Sequence, residues 1–159
     1  MNQWFLVTCK YTKQMEDGTL KRVSEPYLFD AISFSDAEEK AYKKIGENVK
    51  GEFLITAIKI NSYADIYGND EFDDWFKIKI KTVLLDEDSG REKKTSLDYL
   101  IASSSTENAV KDLKECLSDM TMSYEIHSVV HTKIQEVVPY DPELEDKELS
   151  RVKLEKEEE

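Results

Sequence analysis

The sequence predicts an α+β fold: a tandem duplication of one β-β-α-β unit, with two helices packed on mainly antiparallel sheet in a pseudo-twofold arrangement. Three observations carry this expectation. Residue matches recur at a nearly fixed spacing between the two halves of the chain. Apolar and polar residues alternate in the segments expected to be strands. Each half then changes to a helical period behind a serine-based start signal.

The matches begin with Trp4-Phe5, which recurs as Trp75-Phe76, and continue with Glu16-Asp17 and Glu87-Asp88 at the same offset. One inserted residue, Ser89, shifts the register by one. Gly18 then matches Gly90, Lys21-Arg22 matches Lys93-Lys94, and Ser24 matches Ser96. Tyr27-Leu28 matches Tyr99-Leu100, Ala37 matches Ala109, and Ile45 lies opposite Leu117. Internal repeats of this length mark supersecondary units that cannot bury an apolar face alone.

The elements follow in order. In the second half, Phe76, Ile78, Ile80, Thr82 and Leu84 alternate with Lys77, Lys79 and Lys81, which is the period of a strand with one buried face. Asp86 to Gly90 is a turn, with glycine available for positive φ. Thr95–Ser103 is the returning strand. Ser104 to Glu107 reads as a capping box, and Ala109, Leu113, Cys116 and Leu117 form an apolar helical stripe. Tyr124–Val137 is the third strand. The first half repeats the series. Its strands are Trp4–Lys13, Lys21–Phe29 and Glu52–Asn61. Its turn is at Glu16-Asp17-Gly18 and its capping box is at Ser35 to Glu38. Its helix is lined by Ala37, Ala41 and Ile45 and closed by Gly46. One helix on three strands buries little apolar area, so the two units should pack together or share a continuous sheet. The expected organisation is a first repeat over 1–61, an acidic linker over 62–74, a second repeat over 75–138 and a charged, flexible tail over 139–159. In that tail Leu144, Leu149, Val152 and Leu154 could line a marginal helix.

The 159 residues carry a formal charge of −12, which repels nucleic acid and membrane surfaces at long range. Residues 62–76 account for −5 of this and residues 140–159 for another −5, leaving −2 for the rest. The acidity therefore belongs to linker and tail, not to the expected folded surface. Two cysteines, Cys9 and Cys116, make no disulfide framework, and buried thiols in a reducing compartment are the simplest reading. Met1 to Tyr11 lacks a basic segment followed by a long apolar run, and no stretch approaches the length of a membrane span. A cytoplasmic protein is expected.

Several segments together resemble a known family. They are Trp4-Phe5, Ser24-Glu25-Pro26-Tyr27-Leu28, Ala31 through Ala37, Gly51-Glu52-Phe53, Ile58-Lys59, Trp75-Phe76-Lys77 and Ser89 through Lys94. The family consists of short proteins classed as a domain of unknown function, from Bacteroidetes and their phages and mobile elements. The resemblance covers residues 3–138 and implies a bacterial or phage origin. It brings no catalytic or binding residue with it.

Candidate chemistry is sparse. His127 and His131 fall in a β-patterned run, where residues four apart lie about 13 Å apart, too far to share one metal. Polar positions on a sheet face explain them better. Asp70, Glu71, Asp73 and Asp74 could hold Mg²⁺ or Ca²⁺ or perform acid–base chemistry, but they lack the spacing of a calcium loop, and a solvated linker explains them. No phosphate-binding loop, dinucleotide fingerprint, nucleophile elbow or zinc-protease motif occurs. The expectation is therefore no enzyme, no metal and no cofactor. Lys77, Lys79 and Lys81 point to one face of their strand with Trp75 at the end of the row, and Lys93 and Lys94 lie on the adjoining strand. These six residues are the candidate binding site. They form either an anion-binding face with a stacking platform or a solubilising face, such as a lysine-protected edge.

The leading expectation is a non-catalytic binding or regulatory protein with its ligand or protein partner in a groove between the repeats. The alternative is a nucleotide or nucleic-acid binder on the lysine face, which the net charge disfavours. A third is an acidic decoy of a nucleic-acid-binding protein. The tail is either a solubilising extension, a segment that docks on a basic partner, or a cover for the lysine face of its own chain. No membrane partner is expected, and exposed sheet edges would allow a dimer.

Overall fold

In the computed structural model, residues 3–140 are described. The first half comprises β1 (Gln3–Gln14), β2 (Leu20–Ala31), α1 (Phe34–Asn48) and β3 (Phe53–Asn61), followed by the short β4 (Asp65–Tyr67). The second half repeats that order as β5 (Trp75–Leu85), β6 (Glu92–Ala102), α2 (Thr106–Cys116), β7 (Ser123–His131) and the short β8 (Val137–Val138). The fold is α+β, with two four-stranded, mainly antiparallel sheets.

The hairpins form where period-two alternation meets a turn glycine. Gly18 and Gly90 have φ of 85° and 66°, which a side chain would disfavour. In β1, Phe5, Val7 and Cys9 are buried, and in β5, Phe76, Ile78, Ile80 and Thr82 are buried. These faces take the helices. Ala37, Ala41 and Ile45 of α1 and Ala109 and Leu113 of α2 are the helical positions they cover. The caps lie slightly away from the expected serines. Ser33, not Ser35, accepts the Asp36 N–H, and Ser105, not Ser104, accepts the Asn108 N–H, both at 3.1 Å. In each half the capping serine is the one whose backbone is still extended as the strand ends. Gly46 does not close α1, which runs on to Asn48. A Cβ at Gly46 would make only ordinary van der Waals contact with the Phe53 ring, at 3.9 Å.

The two sheets are separate, in the orders β3-β1-β2-β8 and β4-β6-β5-β7. Each therefore ends in a short parallel strand supplied by the opposite half. The Ala64 N–H donates to the Asp98 carbonyl at 2.7 Å as the chain enters β4 beside β6. The Gln135 N–H donates to the Pro26 carbonyl at 2.9 Å as the chain enters β8 beside β2. The expected continuous strand Tyr124–Val137 thus ends at His131. There Thr132 turns away, its N–H and hydroxyl both bonded to the Trp75 carbonyl, and the chain crosses to the first sheet. Likewise part of the expected linker is strand β4.

Each donated strand serves two cores. Tyr67 stacks beside Tyr99 in the helix-side core of the second half, and Val138 packs with Tyr27 and Phe29 in that of the first. Their neighbours Ile66 and Val137 point the other way, into a seam between the helix-free sheet faces. That seam is centred on buried Leu28, Leu100 and Ile134, with Trp4, Leu6, Tyr63 and Trp75 packed against them. Among the described residues no helix is long and apolar enough to cross a membrane. The tail beyond Tyr140, including its expected marginal helix, lies outside the described residues.

Leu28 and Leu100 are both 0% exposed, whereas Leu54 on β3 is 59% exposed. Truncating either seam leucine to alanine should cost about 2–5 kcal/mol in urea unfolding, and Leu54→Ala less than about 0.5 kcal/mol. Equal losses at Leu54 and Leu100 would contradict this packing.

Candidate functional site

The lysine row lies on the helix-free face of β5. Lys77 stands opposite Leu100 and Val130, Lys79 opposite Asp98 and Ser128, and Lys81 opposite Ser96 and Glu125. Strand β5 has neighbours on both sides, so these lysines do not protect an edge. Trp75 and Lys94 share their face. Lys93 pairs with Leu84 and lies on the other one. The six candidate residues therefore do not converge, and two carboxylates interleave with the cations. The Asp98 Oδ1 is buried without a hydrogen-bond partner among the described residues.

The histidines take separate roles. His131 stacks on Phe76 with ring centroids 4.7 Å apart, and its Nε2 lies 3.3 Å from Asp74 Oδ1. His127 is the extra residue of a β-bulge in β7, where the register against β5 slips by one. No group of three or more His, Cys, Asp or Glu side chains is placed to hold a metal among the described residues. Cys9 is buried, as expected, but Cys116 is exposed, because Leu113 and Leu117 take the inward positions of that turn.

Two clefts open beside the seam. The larger, about 620 Å³, lies where the Thr132–Gln135 segment diverges from β2. Its lining pairs Lys21, Arg22 and Lys133 with Glu25, Asp73 and Asp74, so it favours neither sign of charge. Glu25 belongs to a cross-strand cluster. It accepts a hydrogen bond from the Tyr11 hydroxyl at 2.8 Å, and Lys13 Nζ lies 3.8 Å away. Burial is the first cause in raising all three groups of this cluster: the hydrogen bond to Glu25 adds to it at Tyr11, the charges of Cys9 and Glu25 help push Tyr27 up to about 12, and the charge of Glu25 helps raise Cys9.

The second cleft, about 520 Å³, brings together both tryptophans of the chain, Trp4 from β1 and Trp75 from β5. Ile66 of β4 and Val137 of β8 flank them, and Phe72 enters from the loop before β5. That loop is shaped by Asn69, whose side-chain oxygen accepts the Glu71 N–H at 2.9 Å and whose carbonyl accepts the Phe72 N–H at 3.2 Å. The ionisable lining residues are Asp70, Asp73 and Glu136, all acidic. Of the expected site residues only Trp75 lines this cleft. Trp4 was legible as its match in the repeat, and its place in the β1 alternation puts it opposite to Phe5, Val7 and Cys9. Phe72, in an acidic stretch without periodicity, gave no signal.

A family model covers residues 3–140. The chain belongs to the family described as Domain of unknown function (DUF4494). No match to it emerged among curated proteins or among solved structures.

The raised tyrosine and thiol values fix a pH dependence. A group held protonated by the fold stabilises it below its ordinary value, and that contribution is lost as pH rises through the raised one. For Tyr27 the window runs from 10 to about 12. The melting temperature should therefore fall above pH 10, and less steeply in Tyr27→Phe. Equal slopes for the two proteins would contradict the assignment.

Proposed function

We propose that this family member is a non-catalytic, cytoplasmic binding protein whose ligand or partner enters the Trp4–Trp75 cleft. The observation that carries this reading is the convergence of the only two tryptophans, one from each half, on a single aromatic cleft at the seam. Tryptophan offers a large, rigid contact surface at low entropic cost, and binding sites are typically apolar clefts of this size with a few polar groups at fixed positions. The cleft exists only when the halves are joined, since β4, β5 and β8 all contribute to it.

A second reading, an anion held by Lys77, Lys79 and Lys81, is favoured by their common face and by the absence of ion pairs from these three among the described residues. Asp98 and Glu125 directly opposite weigh against it.

Gly68 provides the test. Its φ is not positive, and a Cβ there would meet only Trp75, at 3.8 Å, so a larger side chain can fill the cleft mouth without backbone strain. Protein isolated from its native host should show a mass in the native spectrum that is lost on denaturation, and Gly68→Leu should not retain it. A bare chain mass for the unmodified protein would contradict the proposal. Retention of the mass by Gly68→Leu would move the site elsewhere, with the lysine face next in line.

A further inference from the structure

We infer that the Trp4–Trp75 cleft receives an arginine side chain from a basic polypeptide partner. This rests on reading the cleft as the binding site and adds the chemistry of its occupant. Three aromatic rings, Trp4, Phe72 and Trp75, line the cleft, and no lysine or arginine does. An aromatic face attracts a cation through its quadrupole. Guanidinium is the best match, because it is planar, weakly hydrated and able to stack.

The carboxylates divide into two sets. Glu136 is already engaged: its side chain accepts a hydrogen bond from Asn48 at 3.2 Å and lies 3.3 Å from Lys44 Nζ. Asp70 and Asp73 are exposed at the mouth and make no ion pair among the described residues. They can meet an incoming cation without breaking an existing contact.

The choice of a polypeptide follows from how far the negative charge extends. Glu71, exposed between the lining residues Asp70 and Phe72, adds a further carboxylate to the same loop, so the negative charge is wider than one cationic group. The stretch 62–76 that contains this loop carries −5, with no lysine or arginine. Such a field steers a basic segment toward the cleft and orients it, while the aromatic rings supply the contact.

The tryptophans report their own occupancy, since the chain has no others. Tryptophan emission would be followed at low salt while acetyl-Gly-Arg-Arg-Arg-Gly-amide is added, and separately its neutral citrulline isostere. The arginine peptide should give a saturable change. Citrulline should bind at least about tenfold more weakly. Asp70→Asn with Asp73→Asn should weaken the arginine peptide by about threefold, and Gly68→Leu should abolish the change. Equal affinity for the citrulline peptide would overturn the inference while leaving the cleft a binding site. Argininamide binding as tightly as the peptide would replace the polypeptide by a small cation and so overturn it too. No saturable change with either peptide also overturns it, and the retained-mass comparison then judges the broader binding reading independently.

Discussion

The open edge of each hairpin is the constraint on which this structure depends. A β-β-α-β unit covers one sheet face with its helix, leaving the other face and the outer edge of its second strand unfilled. Each half supplies what the other lacks. Segment 64–67 completes β6, and segment 135–138 completes β2, by parallel pairing of only two or three residues. Net backbone hydrogen bonds contribute about 1 kcal/mol each, whereas full burial of a leucine or isoleucine contributes about 1.5–3 kcal/mol. Group for group, burial of Leu28, Leu100 and Ile134 therefore contributes more than a ladder bond. The exchange is best understood as the means of delivering Ile66 and Val137 to the seam and Tyr67 and Val138 to the opposite cores.

The same constraint creates the cleft. Crossing chains cannot lie flat on both sheets, and space opens where they leave one sheet for the other. Trp4 and Trp75 occupy matching positions at the start of the first strand of each half, on the helix-free faces, so the crossing brings both to one opening. The lysine row starts beside Trp75 but runs along β5 away from this opening. A conspicuous charge pattern and the cleft thus share one residue.

Much of the architecture was legible because it is local. Alternation in β1 and β5, the turn glycines Gly18 and Gly90 and the helical stripes all follow from short-range pattern. What escaped depends on the other half of the chain. Thr132 and Ile134 keep the strand-like alternation of β7, and only the bonds from Thr132 to the Trp75 carbonyl show where the strand ends. Ile66 and Tyr67 form a short apolar interval in an acidic stretch, and their strand exists because β6 offers an edge. The capping serines missed by one or two residues depend on where the preceding strand stops. For the candidate cleft, Trp75 stood out in the sequence as a candidate binding residue, and it is one of the lining residues. Its partner surface needed the relative placement of two halves that no single-half pattern contains.

Reciprocal strand exchange should make the two halves one cooperative unit. Native-state hydrogen exchange at rising denaturant tests it most directly, because it resolves the opening free energy of individual amides. The protected amides of β1 and β2 should converge on the same global opening as those of β5 and β6. Two separate opening free energies, one for each half, would contradict it.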